Sequence, residues 1–450
     1  MNIIVVGGGV VGYSLAEQLL HEKHTVTVIE KEPSIGEGMV EKMDLQVLIS
    51  SGSSPQALED AGIDKADMVI AVTPVDEINI LVCSIARQYG VGQRIARLRS
   101  REFVSPDRKI SLVDLGVTDF IFPEMVVVDA ILQYIDTPGA SHAVNFENGE
   151  ILLRGYNITE KMAMAGKSLI ELRQIMDDQV FLVAAVQRGG EGIIPPGDFV
   201  IEPGDRVFSL FPRQAISSFM NLVGGNNEVK RVIISGNNIS TQELAMALEH
   251  KVPHVFVVSP DREHAEEMAA ALSKAEVIHG DCTETDSLRE AEIRRADFFI
   301  AASSEPDYNM LSALLARSEG VRETVAVSME YQHDRLFHSL GIDHVINPRV
   351  IAAREIMQLI SRGYIGGTTR LGPDIEAIRI EVMEGSRAIG VPLKNLWKKF
   401  RSGALIGIII RGDKMIIPGG ETTFEAGDHV ITIAYNKIVS RVRNLFRVES

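Results

Sequence analysis

Short apolar, β-branched runs alternate with amphipathic stretches through the first 136 residues of the chain. The runs are Ile3–Val6, Thr25–Ile29, Gln46–Ile49, Met68–Val72, Arg94–Leu98 and Asp119–Phe122. Between them the apolar positions take helical spacing, as around Gly12–His21, where Val11, Leu15 and Leu19 recur every four residues on one face. Short buried strands alternating with helices predict a parallel sheet covered on both faces. After Pro138-Gly139 the texture changes. Residues 140–222 carry short strands punctuated by Gly and Pro, as in Arg188-Gly189-Gly190 and Pro195-Pro196-Gly197, and predict a small α+β module.

The same order then recurs. Ala66-Asp67-Met68-Val69-Ile70-Ala71 returns as Ala296-Asp297-Phe298-Phe299-Ile300-Ala301, and Leu115-Gly116-Val117 with Pro123 returns as Leu340-Gly341-Ile342 with Pro348. Ile201-Glu202-Pro203-Gly204-Asp205 answers to Phe424-Glu425-Ala426-Gly427-Asp428, and Gln187-Arg188-Gly189 to Ile410-Arg411-Gly412. Four matches in one order mark a duplication. The expected domains are 1–136, 140–222, 229–360 and 370–450, with Gly224-Gly225-Asn226-Asn227 as the linker between halves and Gly366-Gly367-Thr368-Thr369 opening the last module. The fold class predicted is α/β: two Rossmann-like parallel-sheet domains, each followed by a small α+β domain.

Gly7-Gly8-Gly9-Val10-Val11-Gly12 is a G-x-G-x-x-G run between a strand and a helix, and Glu30 ends the next strand. In that context each residue type has a task. Gly7 permits the tight turn, Gly9 lets a pyrophosphate approach the backbone, and Gly12 lets the helix lie close on the strand. The helix N-terminus offers amides and a partial positive charge to phosphate. Glu30 would accept from ribose hydroxyls and repel a 2′-phosphate, so NAD(H) is expected over its phosphorylated analogue. Thr73-Pro74 follows the fourth strand on the ligand edge of such a sheet; Thr73 has two readings, a phosphate or ribose contact and a cap for the helix beginning near Asp76. Arg97 and Arg99 flank Leu98 on one face of the fifth strand and read either as a phosphate clamp or as ion pairs.

Aligned on the preceding strand, Gly7, Gly9 and Gly12 correspond in the second half to Ser235, Asn237 and Ser240, and Glu30 to Ser259. Gly280-Asp281-Cys282-Thr283 stands where the first half has Ser51-Gly52-Ser53-Ser54. The second nucleotide site is expected to be degenerate.

Charge and composition narrow the function. Acidic residues outnumber basic ones 61 to 45, for a net charge of −16. That balance argues against non-specific binding to nucleic acid, which needs a positive field. Cys83 and Cys282 are too few for a disulfide framework or a four-ligand zinc site, and suggest a reducing cytoplasm. Cys83 reads as core; Cys282, beside Asp281, reads as an exposed thiol or an inert one. The N-terminus runs straight into a strand without a basic leader, and no apolar stretch approaches the roughly 18 residues of a membrane span. A soluble protein is expected, with any membrane role exercised through a partner. No catalytic constellation or metal site emerges: His333 and His338 are off a common helical face, and H-E-x-x-H, G-x-S-x-G, P-loop and C-x-x-C patterns are absent. Trp397-Lys398-Lys399-Phe400-Arg401 is a basic–aromatic cluster that reads as a helix end or a docking patch. Val127, Ile131 and Tyr134 stripe a helix after the sixth strand, where a helix can leave its domain and pack on another.

The glycine run with Glu30, Ala66-Asp67, Ala71-Val72-Thr73 and Arg97, followed by a Gly/Pro-rich module and all duplicated, resembles the tandem RCK (TrkA-N/TrkA-C) family. These are peripheral components of bacterial and archaeal Trk potassium-uptake systems. The resemblance spans essentially the whole chain. It implies a cytoplasmic regulatory subunit, not an enzyme, peripheral to the inner face of the cell membrane. It further implies a homotetramer supplying eight RCK units to a ring beneath a membrane-embedded potassium-translocating subunit, with NAD(H), ATP or ADP setting conductance. Carried over by position, its nucleotide site uses Gly7, Gly8, Gly9, Val10, Val11, Gly12, Glu30, Thr73, Pro74 and Arg97. Ser51 and Ser53 depart from the Gly-Asp-rich turn of many such units. Two other classes remain: an NAD-dependent oxidoreductase with a duplicated fold, which requires NADH turnover, and a nucleotide sensor without a membrane partner.

Overall fold

The computed structural model describes residues 1–450 except 101–102, 104–108, 110, 177–180, 225–227, 329–335, 361–365, 398–402, 413 and 448–450. His333, Lys398 to Arg401 and the linker residues Gly225 to Asn227 therefore lie outside the described residues.

Six strands form the first sheet: β1 (Asn2–Val6), β2 (Thr25–Glu30), β3 (Gln46–Ile49), β4 (Met68–Ala71), β5 (Gln93–Arg97) and β6 (Asp119–Ile121). Their order is β3-β2-β1-β4-β5-β6, and every neighbouring pair is parallel. The central strands are buried on both faces, as in β4, where all four residues are covered, which is why they read as unbroken apolar runs. The order reverses between β1 and β4, so the loops after these two strands diverge and leave a crevice at their carboxyl ends. An antiparallel sheet follows, β7 (His142–Phe146), β8 (Ile151–Asn157), β9 (Leu182–Arg188), β10 (Glu191–Ile193) and β11 (Arg206–Pro212), in the order β10-β9-β11-β8-β7.

Both sheets recur. β12 (Arg231–Ser235), β13 (His254–Ser259), β14 (Glu276–His279), β15 (Phe298–Ala301), β16 (Glu323–Val327) and β17 (His344–Ile346) repeat the first order as β14-β13-β12-β15-β16-β17. β18 (Gly366–Arg370), β19 (Ile375–Glu381), β20 (Ala404–Arg411), β21 (Lys414–Ile416) and β22 (His429–Tyr435) repeat the second as β18-β19-β22-β20-β21. The chain is thus a mixed α/β protein in which a Rossmann-like parallel sheet and a small antiparallel module occur twice, as predicted. Among the described residues, no helix is long and apolar enough to cross a membrane.

The halves of the sequence are not the compact units of the fold. One unit gathers Met1–Asp129, Ile233–Arg294 and Phe299–Ile360; the other gathers Ala130–Val232, Arg295–Phe298 and Ser361–Ser450. Like packs with like. In the first unit, the helix after β17, Pro348–Ile360, leaves its own sheet: Ala352 and Ile356 are fully buried in one core with Val11, Leu15 and Leu19 of the helix Val10–His21. The Gln93 side chain donates to the carbonyl of Leu359 at 2.9 Å and ties down its end.

In the second unit, Leu153, Ala185, Phe208 and Leu210 of the first antiparallel module share a core with Ile375, Ile408, Ile431 and Ile433 of its duplicate. At the edge of that core Glu147 accepts from the Arg379 guanidinium and faces Nδ1 of His429 at 3.1 Å. Burial raises the Glu147 pKa, but Arg379 and His429 outweigh it and hold the carboxyl below its ordinary value. A depressed carboxyl stabilises the folded state above its unfolded pKa and ceases to do so as pH falls through the folded one. The second unit is therefore expected to lose stability below about pH 4.5, the ordinary value for this group. Acid titration of thermal unfolding should show part of that loss abolished in Glu147→Gln.

Candidate functional site

The first half's turn is built around glycine sterics. Gly7 leaves β1 at φ +104°, a left-handed conformation that strains any residue with a side chain, and a Cβ there would lie 3.1 Å from the Thr73 amide nitrogen. A Cβ on Gly12 would lie 1.8 Å from the Gly7 carbonyl oxygen, so the helix touches the turn backbone to backbone. Gly9 differs: a Cβ there would meet nothing within 4 Å among the described residues. Gly9 is also the N-cap of the helix Val10–His21, and no side chain caps that end. The unpaired amides of a first helical turn, with the positive end of the helix dipole, lie there.

Glu30 stands beside the turn, 8% exposed. One carboxylate oxygen accepts from the Gly8 amide at 2.5 Å and the other from the Glu32 amide at 2.9 Å. Each oxygen keeps a further lone pair, so the group can hold the turn and still accept from a hydroxyl. A Cβ on Gly8 would sit 2.9 Å from the Met39 sulfur and 3.2 Å from the Glu30 side chain.

Across the crevice, the loop after β4 is fastened by Asn79, which is fully buried. Its Oδ1 accepts from the Thr73 amide (2.9 Å) and hydroxyl (2.7 Å), and its Nδ2 donates to the carbonyls of Thr73 (2.9 Å) and Arg97 (2.8 Å). Thr73 therefore does not cap the following helix, Asp76–Gln88, whose N-cap is Val75. With its proton given to Asn79, the Thr73 hydroxyl can only accept from a ligand, which suits a ribose hydroxyl better than a phosphate. Pro74 is exposed beside it. The second half repeats the clasp, Asn309 bonding the Ser303 amide, hydroxyl and carbonyl and the Val327 carbonyl. This asparagine is missing from the sequence reading, although it recurs eight residues after Ala71 and after Ala301.

Arg97 ends β5, and Arg99 lies beyond it. Both reach one oxygen of Glu124, at 3.3 Å and 3.6 Å, so the ion-pair reading describes their partner. Nε of Arg97 and Oε2 of Glu124 are buried without a hydrogen-bond partner. Asp76, also buried, accepts the amides of Arg99 and Ser100 and fixes the chain as it leaves β5.

The second half's turn requires a correction to the alignment. β1 and β12 end at Val6 and Ser235; the next amides, Gly7 and Gly236, donate to Ile29 (2.8 Å) and Val258 (3.1 Å); and the helices begin at Val10 and Ile239. Gly7 thus answers to Gly236, Gly9 to Asn238 and Gly12 to Thr241, one residue on from the serines and asparagine read from sequence. Ser235 belongs to the strand, where a polar residue at the end mimics a loop. Glu30 answers to Ser259 as expected, since β2 and β13 end on them. The third-strand turn shifts likewise: β3 and β14 end at Ile49 and His279, so Gly52 answers to Cys282.

With this register the two turns differ in kind. Asn238 caps its own helix, accepting from the Thr241 amide at 3.0 Å, and donates to the Ala302 carbonyl at 2.6 Å. Tyr308 brings its hydroxyl to Ser235 (3.3 Å) and to the Cys282 amide (3.0 Å). Cys282 is fully buried rather than exposed, in the place where a Cβ on Gly52 would strike Val6 at 2.1 Å; the smaller Ser235 in place of Val6 makes the room. Burial pushes the Cys282 thiol up to about 12, and Tyr308 likewise, so both stay protonated. Cys83 is buried and inert for the same reason, its pKa raised to about 12. His338 contacts the Ile342 carbonyl at 3.2 Å.

The structure defines a tandem Rossmann-type protein in which the glycine-rich turn of the first half has no side-chain cap and the turn of its duplicate is capped by Asn238. Residues 3–123 and 232–348 match the TrkA-N domain family, and residues 153–224 and 377–447 match the TrkA-C domain family. The chain belongs to the TrkA family. It is 30% identical over 455 residues to a Trk system potassium uptake protein TrkA of Azorhizobium caulinodans, an alignment covering 100% of this chain and 99% of that protein. A second such protein, from Halomonas elongata, is 30% identical over 454 residues, covering 100% of this chain and 98% of the relative. In fold the chain is similar to a solved GsuK channel bound to NAD, with a TM-score of 0.63 at 17% identity, covering 98% of this chain and 78% of that one.

Proposed function

We propose that this chain is the nucleotide-binding regulatory subunit of a potassium-uptake system, and that a nucleotide held on the first half's turn biases a membrane-embedded potassium-translocating partner. The observation that carries this reading is the contrast between the turns. No described atom lies within 4 Å of a Cβ placed on Gly9, the helix end lacks a side-chain cap and Glu30 stands beside it, whereas in the second half Asn238 caps its own helix and Ser259 replaces the carboxylate. Whole-length similarity to Trk system potassium uptake proteins supports the setting.

The residues fit a dinucleotide. Gly7, Gly8, Gly9, Val10, Val11 and Gly12 would hold its phosphates, Glu30 and Thr73 its ribose hydroxyls, with Pro74 and Arg97 flanking. Glu30 favours NAD(H) over a 2′-phosphorylated form; ATP or ADP would use the same turn. The second domain would bind weakly or not at all. Regulation here is a population shift: the subunit can bias the pore only by the difference in its nucleotide affinity between two assembly states. We further propose a cytoplasmic homotetramer presenting eight nucleotide-fold units in a ring, with domains at 1–136, 140–222, 229–360 and 370–450, and no enzymatic turnover.

The test is calorimetric titration with NADH beside a potassium-flux assay. One site per chain, lost in Glu30→Ala with no consumption of NADH, is expected. Flux control surviving loss of binding would overturn the regulatory reading, and steady NADH oxidation would favour the dehydrogenase alternative.

Leu81 and Leu311 occupy equivalent positions on the helices Asp76–Gln88 and Pro306–Ser318 and are 45% and 54% exposed. Apolar side chains left bare at the same place in both halves suit a contact between chains. Leu81→Asp with Leu311→Asp is expected to lower the assembly below a tetramer in analytical ultracentrifugation. Unchanged mass would place the contact elsewhere.

A further inference from the structure

The first unit contains a cleft of about 280 Å³, walled by both halves of the sequence. Val10 and Val11 bring the uncapped helix end to it, and Arg97 and Glu124 bring the ion pair behind that end. From the second half come Asn238 and Ser240 at its own turn, Ser303, and Arg349, the residue after Pro348 at the start of the helix Pro348–Ile360. The two helices that follow β6 and β17 begin alike, at Pro123 and Pro348, so Arg349 occupies the position of Glu124 with the charge reversed.

Among the described residues, three buried polar atoms at this cleft have no hydrogen-bond partner: Nε of Arg97, Oε2 of Glu124 and Nε of Arg349. A buried polar atom left unpaired is costly, and two of these three are guanidinium donors that an anion would satisfy. The charges do not cancel. Glu124 serves Arg97 and Arg99 together, and Arg349 adds a further cation. Among the described residues that line the cleft, two arginines stand against one glutamate, beside a helix N-terminus in a chain of net charge −16.

The cleft is too small for a whole dinucleotide, since drug-sized ligands fill roughly 300–1,000 Å³. It is suited to the end of a phosphate chain. We propose that Arg349 binds the free terminal phosphate of a nucleoside di- or triphosphate seated on the first half's turn. The cleft then separates nucleotides ending in a free phosphate from dinucleotides, whose pyrophosphate is esterified at both ends. This inference rests on the nucleotide reading of the turn. It also supplies a physical link between halves, because an arginine of the helix that packs on Val11 and Leu15 is drawn toward a ligand of the first half.

The experiment is calorimetric titration of the full chain and of Arg349→Gln with ATP, ADP, AMP and NADH. Losing a charge-assisted contact should weaken ATP and ADP roughly tenfold or more and leave NADH within about twofold. Arg349→Lys should recover part of the loss. Unchanged ATP affinity in Arg349→Gln overturns the inference, as does equal weakening of ATP and NADH. If the unaltered chain binds none of the four, the reading of the turn fails and this inference falls with it.

Discussion

Alanine at Gly12 is expected to abolish nucleotide binding and to destabilise the first unit, whereas alanine at Gly9 is expected to abolish binding alone. The difference follows from what each added methyl meets. At Gly12 the new Cβ would lie 1.8 Å from the Gly7 carbonyl oxygen, a backbone atom with no rotamer to retreat into. The helix Val10–His21 must then move off β1, against the core that Val11, Leu15 and Leu19 share with Ala352 and Ile356. Overpacking of this kind costs on the order of 3 kcal/mol. At Gly9 the backbone is at φ −61°, which alanine adopts freely, and the methyl meets nothing within 4 Å. It would instead fill the space a phosphate needs, and losing two or more charge-assisted contacts should weaken NADH on the order of 100-fold. Thermal unfolding and NADH titration of both variants separate the effects. Gly9→Ala binding NADH like the parent would mean that the phosphates do not lie on this turn.

Why the parallel sheets are readable from sequence is clear in β1 and β4. Strands buried on both faces must be apolar at successive positions, and the helices between them must keep four-residue spacing, so the two periods alternate visibly. Where a strand ends on a polar residue the signal fails. Ser235 reads as loop, and the alignment of the second turn slips by one residue. The slip hides Gly236 and, more consequentially, Asn238, whose cap distinguishes the closed turn from the open one. Cys282 misleads in a similar way. Its neighbour Asp281 suggests solvent, but the thiol fills the space that Gly52 leaves empty in the first half.

Other features depend on contacts that no local pattern encodes. The duplication shows in sequence as two halves in tandem, yet burial pairs sheet type with sheet type. That pairing is decided by apolar faces on β8, β9 and β11 that have no partner within their own half and find one in β19, β20 and β22. Arg97, Glu124 and Arg349 likewise meet only in three dimensions. Read singly, each is one charge in an acidic chain; together they line one cleft of the first unit.

Arg154 is the clearest case of a residue whose role lies wholly in the fold, and its replacement by methionine is expected to destabilise the second unit by about 2–4 kcal/mol. It is fully buried in β8, and among the described residues no carboxylate pairs with it directly. Burial lowers its pKa to about 10, so the guanidinium remains charged at neutral pH. Four oxygens hold it: Thr137 Oγ1 at 2.6 Å, the carbonyls of Val144 and Leu153 at 2.9 Å and 3.0 Å, and Asn145 Oδ1 at 2.9 Å. Methionine would match much of the volume and remove the desolvated charge, yet take the guanidinium from the fully buried Thr137 hydroxyl and from the half-buried Asn145. At the equivalent position of the duplicate module stands Ile378, fully buried among apolar neighbours, so the strand itself does not require a charge there. What requires it is the set of acceptors around Arg154. Far-UV circular dichroism in a urea titration reads the loss. Arg154→Lys, with fewer and less spread donors, should fall between parent and methionine variant. A methionine variant as stable as the parent would mean that the cost of burying the charge cancels its hydrogen bonds, as happens at some buried ion pairs.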